Sequence, residues 1–168
     1  MKKLFLIIYY LFASKLPNSW WPGGIFYNAL RVALIQRILP LGKNVRIQKN
    51  VYIGSGNNVS IGNDCQINEL VRLDNVAIGN NVMIARECII LGKMHENNTT
   101  DIRMNMQGVK KVERTIIEDD VWLGLRVILM PGVKIAKGTI VAAGAVVTKD
   151  TEPNSVYGGV PAKKIKDR

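Results

Sequence analysis

Residues 115–147, TIIEDDVWLGLRVILMPGVKIAKGTIVAAGAVV, repeat a pattern of two residues at a strict interval of six. In each repeat a small or medium-sized residue precedes a larger aliphatic residue by two positions. Positions two apart lie on one face of a β-strand, because successive side chains of a strand point to opposite sides. The pattern therefore predicts short strands separated by corners. The pairs are Thr115/Ile117, Val121/Leu123, Val127/Leu129, Val133/Ile135, Thr139/Val141 and Ala145/Val147.

The same pattern runs through residues 45–90, with two irregular steps. Glycine and asparagine between the pairs adopt the left-handed backbone that a tight corner needs. Fourteen hexads predict an all-β fold, a parallel β-helix of four to five coils with three strands per coil. A β-sandwich would space its strands irregularly, about 8–12 residues apart. The pairs are Val45/Ile47, Val51/Ile53, Val59/Ile61, Cys65/Ile67, Val71/Leu73, Val76/Ile78, Val82/Ile84 and Cys88/Ile90, and the corner residues are Gly54, Gly62, Asn63, Gly79, Asn80, Asn81, Gly124, Gly132 and Gly138.

The rhythm stops once, between Cys88 and Thr115, where 27 residues replace the expected six. We predict that residues 92–114 form an excursion loop from one coil. The loop includes GKMHENNTTD (92–101), which holds His95, the only histidine of the chain. Such long insertions in compact folds are usually either functional or disordered.

Charge and cysteine content limit the partners. The net charge of +10 and a pI near 9.8 favour anionic partners, although a solvated basic surface explains them equally well. No zinc-finger, RNA-recognition or basic-zipper motif indicates nucleic acid. Cys65 and Cys88 occupy hexad positions, so we expect buried thiols in a reducing, cytoplasmic compartment. One histidine is too few for a zinc enzyme with three histidine ligands.

The first 42 residues are predicted to form a separate helical, amphipathic segment. The apolar run Leu4–Ala13 is too short to span a membrane, and no clear signal-cleavage site follows it. Two interpretations stay open and are compatible. The segment packs on the first coil, or residues 4–21 contact the inner membrane surface through Trp20 and Trp21. Residues 43–152 are assigned to the β-helix and 153–168 to a C-terminal tail.

Residues 116–150 and 154–166 carry VWLG, PGV, AAGAVVTKD and GVPAK in this order. In these motifs the chain resembles the hexapeptide-repeat acyltransferases, the left-handed β-helix family. Within the family it is most similar to the galactoside, maltose, xenobiotic and polysaccharide O-acetyltransferases, over about residues 43–166. The resemblance implies a left-handed coil and a homotrimer with sites at subunit interfaces. It also implies acetyl-CoA as co-substrate and no required metal.

Acetyl transfer to a hydroxyl needs a base, donors for the developing oxyanion and tight positioning of both reactants. The resemblance makes His95 the base, whereas a lone loop histidine is otherwise a solvated surface residue. A catalytic imidazole needs an orienting partner, and the nearby candidates are Glu87, Glu96, Asp101 or a backbone carbonyl. Glu87 stands where related enzymes have an acceptor-binding asparagine, and it is either an acceptor contact or a solvated carboxylate. Trp122 lines the groove, covers a subunit contact or does both. The resemblance assigns cofactor contacts to the Leu125 amide, Ala142, Ala143, Thr148 and Lys149. Lys163 and Lys164 are either phosphate contacts, as point charges, or part of a solvated basic tail.

The sequence thus predicts an acetyl-CoA-dependent O-acetyltransferase acting on a sugar hydroxyl in surface polysaccharide biosynthesis. Two alternatives remain open. One is an acetyltransferase for another acceptor, namely an amino-sugar, serine or an antibiotic. The other is a non-catalytic β-helix scaffold.

Overall fold

The computed structural model describes residues 1–168 as a parallel β-helix whose short strands stack on three faces. Face 1 contains β1 (Arg46–Ile47), β3 (Gln66–Ile67), β6 (Met83–Ile84), β11 (Trp122–Leu123), β14 (Ile140–Val141) and β16 (Ser155–Gly158). Face 2 contains β4 (Arg72–Leu73), β7 (Ile89–Ile90), β12 (Ile128–Leu129) and β15 (Val146–Val147). Face 3 contains β2 (Val59–Ile61), β5 (Val76–Ile78), β10 (Thr115–Ile117) and β13 (Lys134–Ile135). The chain runs from face 1 to face 2 to face 3, so we name the corners 1–2, 2–3 and 3–1.

The hexads form the core as predicted. Both members of all fourteen pairs are buried. Parallel pairing places equivalent hexad positions of successive coils above one another. Leu123 of β11, for example, lies between Ile84 of β6 and Val141 of β14. Stacked aliphatic side chains along the prism axis remove apolar surface from water, which is the main stabilising term of the fold.

The helix is longer than the predicted four to five coils. Six parallel strands on face 1 correspond to about six turns. The additional rungs come from Leu41, which bridges to Ile61, and from β16, where Ser155 and Tyr157 take the paired positions. The first rung carries the aliphatic pair Leu39/Leu41 six residues before Val45/Ile47, but its first member is a large leucine where the pattern has a small or medium-sized residue. The last rung, Ser155/Tyr157, has no aliphatic residue.

The corner glycines have two separate roles, only one of which was predicted. Gly54, Gly132 and Gly138 do adopt positive φ angles. Gly62 and Gly79 do not; a Cβ on Gly62 would lie 2.4 Å from the carbonyl oxygen of Gly79 on the next coil. Close stacking of the backbone, rather than a left-handed turn, requires glycine at these two positions. At the 1–2 corner, the positive φ angles belong to Leu70, Glu87 and Arg126.

The excursion is an ordered appendage of the 2–3 corner. Within it, β8 (Met94–His95) pairs antiparallel with β9 (Val109–Lys110), and a short 3-10 helix spans Met104–Met106. Arg114 anchors its end by donating to Ser60 Oγ at 2.7 Å and to the Val76 carbonyl at 2.9 Å. The insertion leaves the coil register intact, because β10 then pairs with β5.

The two terminal segments extend and cover the prism. The N-terminal segment contains α1 (Lys2–Leu11), a 3-10 helix at Ala13–Lys15 and α2 (Gly24–Ile35), as the predicted short helices. No helix has the length and apolarity needed to cross a membrane. Within residues 153–168, β17 (Lys163–Asp167) folds back antiparallel on β16.

The helices pack on the first coil and satisfy its backbone. Asn28 of α2 acts as a strand would: its side chain donates to the Val45 carbonyl at 3.3 Å and accepts from the Ile47 N–H at 2.9 Å. The Tyr9 hydroxyl donates to the Val51 carbonyl at 2.7 Å. The helical segment therefore replaces the coil that would precede the first one, which favours the packing interpretation.

Arg31 joins the helical segment to the coil. Its guanidinium is fully buried and donates to the carbonyls of Ala13, Leu16, Pro17 and Ile47. Burial lowers the pKa of this guanidinium, yet arginine stays charged near neutral pH.

We expect Arg31→Met to lower the free energy of unfolding by about 3 kcal/mol, because it leaves buried carbonyls without donors. Arg37→Met, at an exposed position of the same segment, is the matched control and should cost less than about 0.5 kcal/mol. Urea denaturation at equal protein concentration measures both. Equal losses of stability in the two variants would contradict the proposed role of Arg31 in joining the helical segment to the first coil.

Candidate active site

His95 lies in the excursion with its side chain free. Pairing of β8 with β9 sets it opposite Val109, and its side chain is exposed. No hydrogen bond or ion pair joins its imidazole to the chain, because Glu96 bonds Asn98 and Asp101 bonds Thr99 instead. Of the orienting partners considered, none contacts His95 within one chain.

The 1–2 corner presents a stack of backbone amides. Corner residues of successive coils bond to each other, as where the Arg126 N–H donates to the Arg86 carbonyl at 3.0 Å and the Gly144 N–H to the Leu125 carbonyl at 2.8 Å. The Leu125 N–H itself has no acceptor within the chain. The N–H groups of Arg86 and Ala143 are equally unpaired, so Leu125 shares this property with the rest of the stack.

Small residues follow above Leu125. Ala143 and Gly144 are exposed, Ala142 is partly so, and nothing lies within 4 Å of where a Gly144 Cβ would be. A ligand with its own amide groups could therefore approach the backbone closely here. Thr148 and Lys149 are exposed but lie at the 2–3 corner, away from this stack.

Glu87 and Trp122 lie near the stack. The Glu87 carboxylate pairs with the Arg126 guanidinium at 2.7 Å between adjacent coils, and this contact raises the pKa of Arg126. The pair is solvent-exposed, so its contribution to stability is small. Trp122 is half-exposed on face 1, in register with Met83 and Ile140, where it can contact a ligand or another subunit.

Lys163 and Lys164, the two β17 lysines predicted to contact the cofactor, differ in their acidic partners. Lys164 is held by the carboxylates of Glu152 and Asp167, at 2.6 Å and 2.7 Å, which raise its pKa. Lys163 has no acidic partner. Only Lys163 therefore has a charge free for an anionic ligand.

Glu69 is a site residue that the sequence reasoning missed. It is 6% exposed; its Oε1 accepts from Asn18 Nδ2 at 2.9 Å, and its Oε2 has no partner. A cavity of about 310 Å³ lies beside it, lined also by Trp20, Asn68, Ala85, Arg86 and Leu125. An alignment of the 1–2 corners would have revealed Glu69, because it stands one coil below Arg86 in the stack that includes Leu125.

A second cavity, of about 670 Å³, lies beneath the excursion. Its lining includes Tyr52, Arg72, Lys93, Lys110 and Lys111, but none of the predicted site residues. Neither cavity is lined by His95, but only the smaller one borders the amide stack, through Arg86 and Leu125. No cluster of three or more His, Cys, Asp or Glu side chains is arranged to hold a metal ion.

A single prism does not bring the predicted residues together. His95, Thr148 and Lys149 belong to the 2–3 corner, whereas Leu125 and Ala142 belong to the 1–2 corner. A site that uses both sets requires two chains placed so that unlike corners meet.

Comparisons with known proteins give a consistent family. The model of bacterial transferase hexapeptide repeats matches residues 114–149. Galactoside O-acetyltransferase of Escherichia coli is 33% identical over 141 residues, which are 82% of this chain and 68% of the relative. A solved hexapeptide-repeat acetyltransferase of Vibrio cholerae, complexed with acetyl-CoA, superposes with a TM-score of 0.82 at 26% identity, over 99% of this chain and 86% of the other.

A shorter match involves an enzyme of another acceptor class. A chloramphenicol acetyltransferase of Klebsiella aerogenes is 44% identical over 63 residues, 38% of this chain. The chain spans 30% of that relative, and less than two thirds of several others.

The cysteines are poor nucleophiles. Cys65 and Cys88 are fully buried, and burial raises the pKa of Cys88 to about 11 and that of Cys65 in the same direction. A raised pKa keeps a thiol neutral, and so unreactive, until the pH approaches that value.

We expect no reaction of the folded chain with a thiol-specific disulfide reagent at pH 8, and rapid reaction of both thiols once urea unfolds it. Absorbance of the released thiolate measures this. A fast-reacting thiol in the folded chain would refute the buried assignment.

Proposed function

We propose that this chain, which belongs to the hexapeptide-repeat acetyltransferase family, transfers the acetyl group of acetyl-CoA to a hydroxyl of a sugar. The observation that carries the proposal is His95, which is held on an ordered excursion with its imidazole unpaired. The galactoside O-acetyltransferase relative supports a sugar acceptor.

Acetyl-CoA supplies an acetyl group that is activated as a thioester. His95 accepts the proton of the acceptor hydroxyl while the hydroxyl oxygen bonds to the acetyl carbon. The imidazolium then returns the proton to the departing sulfur, so that an ester and free thiol result and the base is regenerated. The unpaired Leu125 N–H donates to the carbonyl oxygen as negative charge develops there.

The 1–2 corner fits the cofactor chemically. The exposed backbone around Ala142 and Ala143 offers amide groups to the pantetheine arm. Thr148 and Lys149, at the 2–3 corner of a neighbouring chain, would serve the nucleotide end. Lys163 adds an uncompensated positive charge for a phosphate, whereas the positive charge of Lys164 is already balanced by the carboxylates of Glu152 and Asp167.

The acceptor is proposed to enter beside Glu69. A sugar has hydroxyl donors and an apolar ring face, which match the unpaired Glu69 oxygen and the exposed indole of Trp20. The net charge of +10 suits an anionic surface polysaccharide. An antibiotic acceptor is the second candidate, favoured by the chloramphenicol acetyltransferase match, but the excursion has no aromatic side chain to grip such a ligand.

The active unit is proposed to be a homotrimer in the cytoplasm. Side-by-side prisms can join the 2–3 corner of one chain, with His95, to the 1–2 corner of its neighbour, with Leu125. This arrangement resolves the separation of the two sets in one chain. Half-exposed Trp122 and Met83 on face 1 are suited to a subunit contact.

We expect His95→Ala to lower kcat by about a hundred- to ten-thousand-fold, because the general base is lost. KM for acetyl-CoA and the oligomer mass should not change. Asn98→Ala, in the same loop, is the control and should retain activity. Thiol release from acetyl-CoA is measured with a panel of neutral and acidic sugars and with chloramphenicol. An active His95→Ala enzyme would overturn the assignment, and absence of both turnover and CoA binding in the wild type would favour a scaffold.

Lys163 and Lys164, adjacent residues of β17, provide a matched test of cofactor binding. Lys163→Ala should weaken CoA binding by about three- to tenfold, because a free charge near phosphate is lost. Lys164→Ala should change it less than Lys163→Ala, since Lys164 already has two carboxylate partners. Calorimetry measures both dissociation constants. A larger effect at Lys164 would contradict this reading.

A further inference from the structure

The inward side of the helical segment combines apolar core residues such as Leu34 and Ile35 with a few polar groups, and its outward side is apolar. Asn28, Arg31 and Tyr9 point to the first coil, where they bond its backbone. On the outward face of α1, apolar residues recur at positions i, i+3, i+4 and i+7, as Leu4, Ile7, Ile8 and Leu11. The outward face of α2 is equally apolar, as Ile25, Phe26, Ala29, Leu30 and Ala33.

The apolar side chains of these two faces are highly exposed to solvent. Ile25 and Phe26 are 81% and 78% exposed, and Leu11 is 77% exposed. The two helices pack against one another, so their outward faces form one apolar surface, which we call the end patch (Leu4, Ile7, Ile8, Leu11, Ile25, Phe26, Ala29, Leu30 and Ala33). Contiguous apolar surfaces of this kind on water-soluble chains mark interaction sites.

The N-terminal part of the chain carries charge of one sign. Residues 1–63 contain eight lysines and arginines and no aspartate or glutamate. All but Arg31 have side chains that reach solvent, and Lys3, Lys15 and Arg37 belong to the helical segment or follow it. Helices with an apolar face and a basic border bind anionic lipid surfaces, since the apolar face enters the acyl boundary and the basic groups meet the headgroups.

We propose that the end patch docks the protein on an anionic lipid bilayer. The helices bond to the far side of the first coil, so the patch caps an end of the prism and leaves its three faces free for neighbouring chains. In the trimer proposed above, three patches would face the same side, and their combined binding would exceed that of one. A surface so oriented would hold the acetyl-transfer site close to an acceptor carried on a lipid.

The test measures co-sedimentation of the full chain with vesicles. We expect partition into vesicles of equal parts phosphatidylglycerol and phosphatidylcholine to exceed that into pure phosphatidylcholine by about tenfold or more. Higher salt should weaken it, because screening shortens the reach of the basic groups. Ile25→Ser/Phe26→Ser should reduce partition about tenfold.

A matched pair of exposed apolar residues lies in the C-terminal segment, beyond the last coil. Val160→Ser/Ile165→Ser removes side chains that are 72% and 63% exposed and should leave partition unchanged. Thermal melting and CoA binding check that each variant is folded, and neither readout requires acetyl transfer.

Two results would overturn the proposal. One is equal partition of the wild type into both vesicle types, or equal partition of the wild type and the Ile25/Phe26 variant into the anionic vesicles. The other is a larger oligomer of the wild type, seen by sedimentation velocity without vesicles, that becomes smaller in the Ile25/Phe26 variant. The patch would then be covered by a second copy of the chain.

Discussion

The rest of this structure depends on the backbone ladder between coils. In a parallel β-helix each strand satisfies its N–H and C=O groups through the coil above and the coil below. The first coil has no coil below it, and there Asn28 and Arg31 take over the missing bonds. At the other end β17 folds back on β16 and closes face 1 with an antiparallel strand. Both ends therefore use segments that lie outside the hexad pattern to remove an open edge.

The same ladder decides where a functional insertion is tolerated. A strand that shifted by one residue would turn its core side chains to solvent. The additional residues between Cys88 and Thr115 therefore leave at a corner, and the chain returns in register with β5. Two sets of bonds hold the returning end of the excursion: Asn75 donates to the Glu113 carbonyl, and Arg114 donates to Ser60 Oγ and the Val76 carbonyl. His95 consequently lies on a segment that can differ in sequence without disturbing the core, while remaining attached to a rigid coil.

Much of the fold follows from the sequence because hexad burial is local and periodic. Both members of each pair, such as Val121 and Leu123, need only the strand period to be placed inside. The last rung escaped notice because Ser155 and Tyr157 lack that signature. Glycines such as Gly62 were misread because their constraint comes from Gly79 on the next coil, which the local chain does not reveal. An alignment of the corners reveals the position of Glu69, but not its buried, unpaired oxygen, which depends on how Asn18 packs. The ion pairs of Lys164 could not be predicted either, because the reversal at β17 brings its partners together.

The end cap links stability to surface chemistry. The inner side of α2 covers the first coil with Asn28, Arg31, Leu34 and Ile35, so Ile25 and Phe26 lie on its outer side. Nothing in the closure of the open edge requires these outer residues to be apolar. Carboxylates would make such a face soluble, but no acidic residue occurs before Asp64. The apolar outer face and a segment without acidic residues thus occur at the same end of the prism, and the proposed docking on an anionic surface depends on that combination.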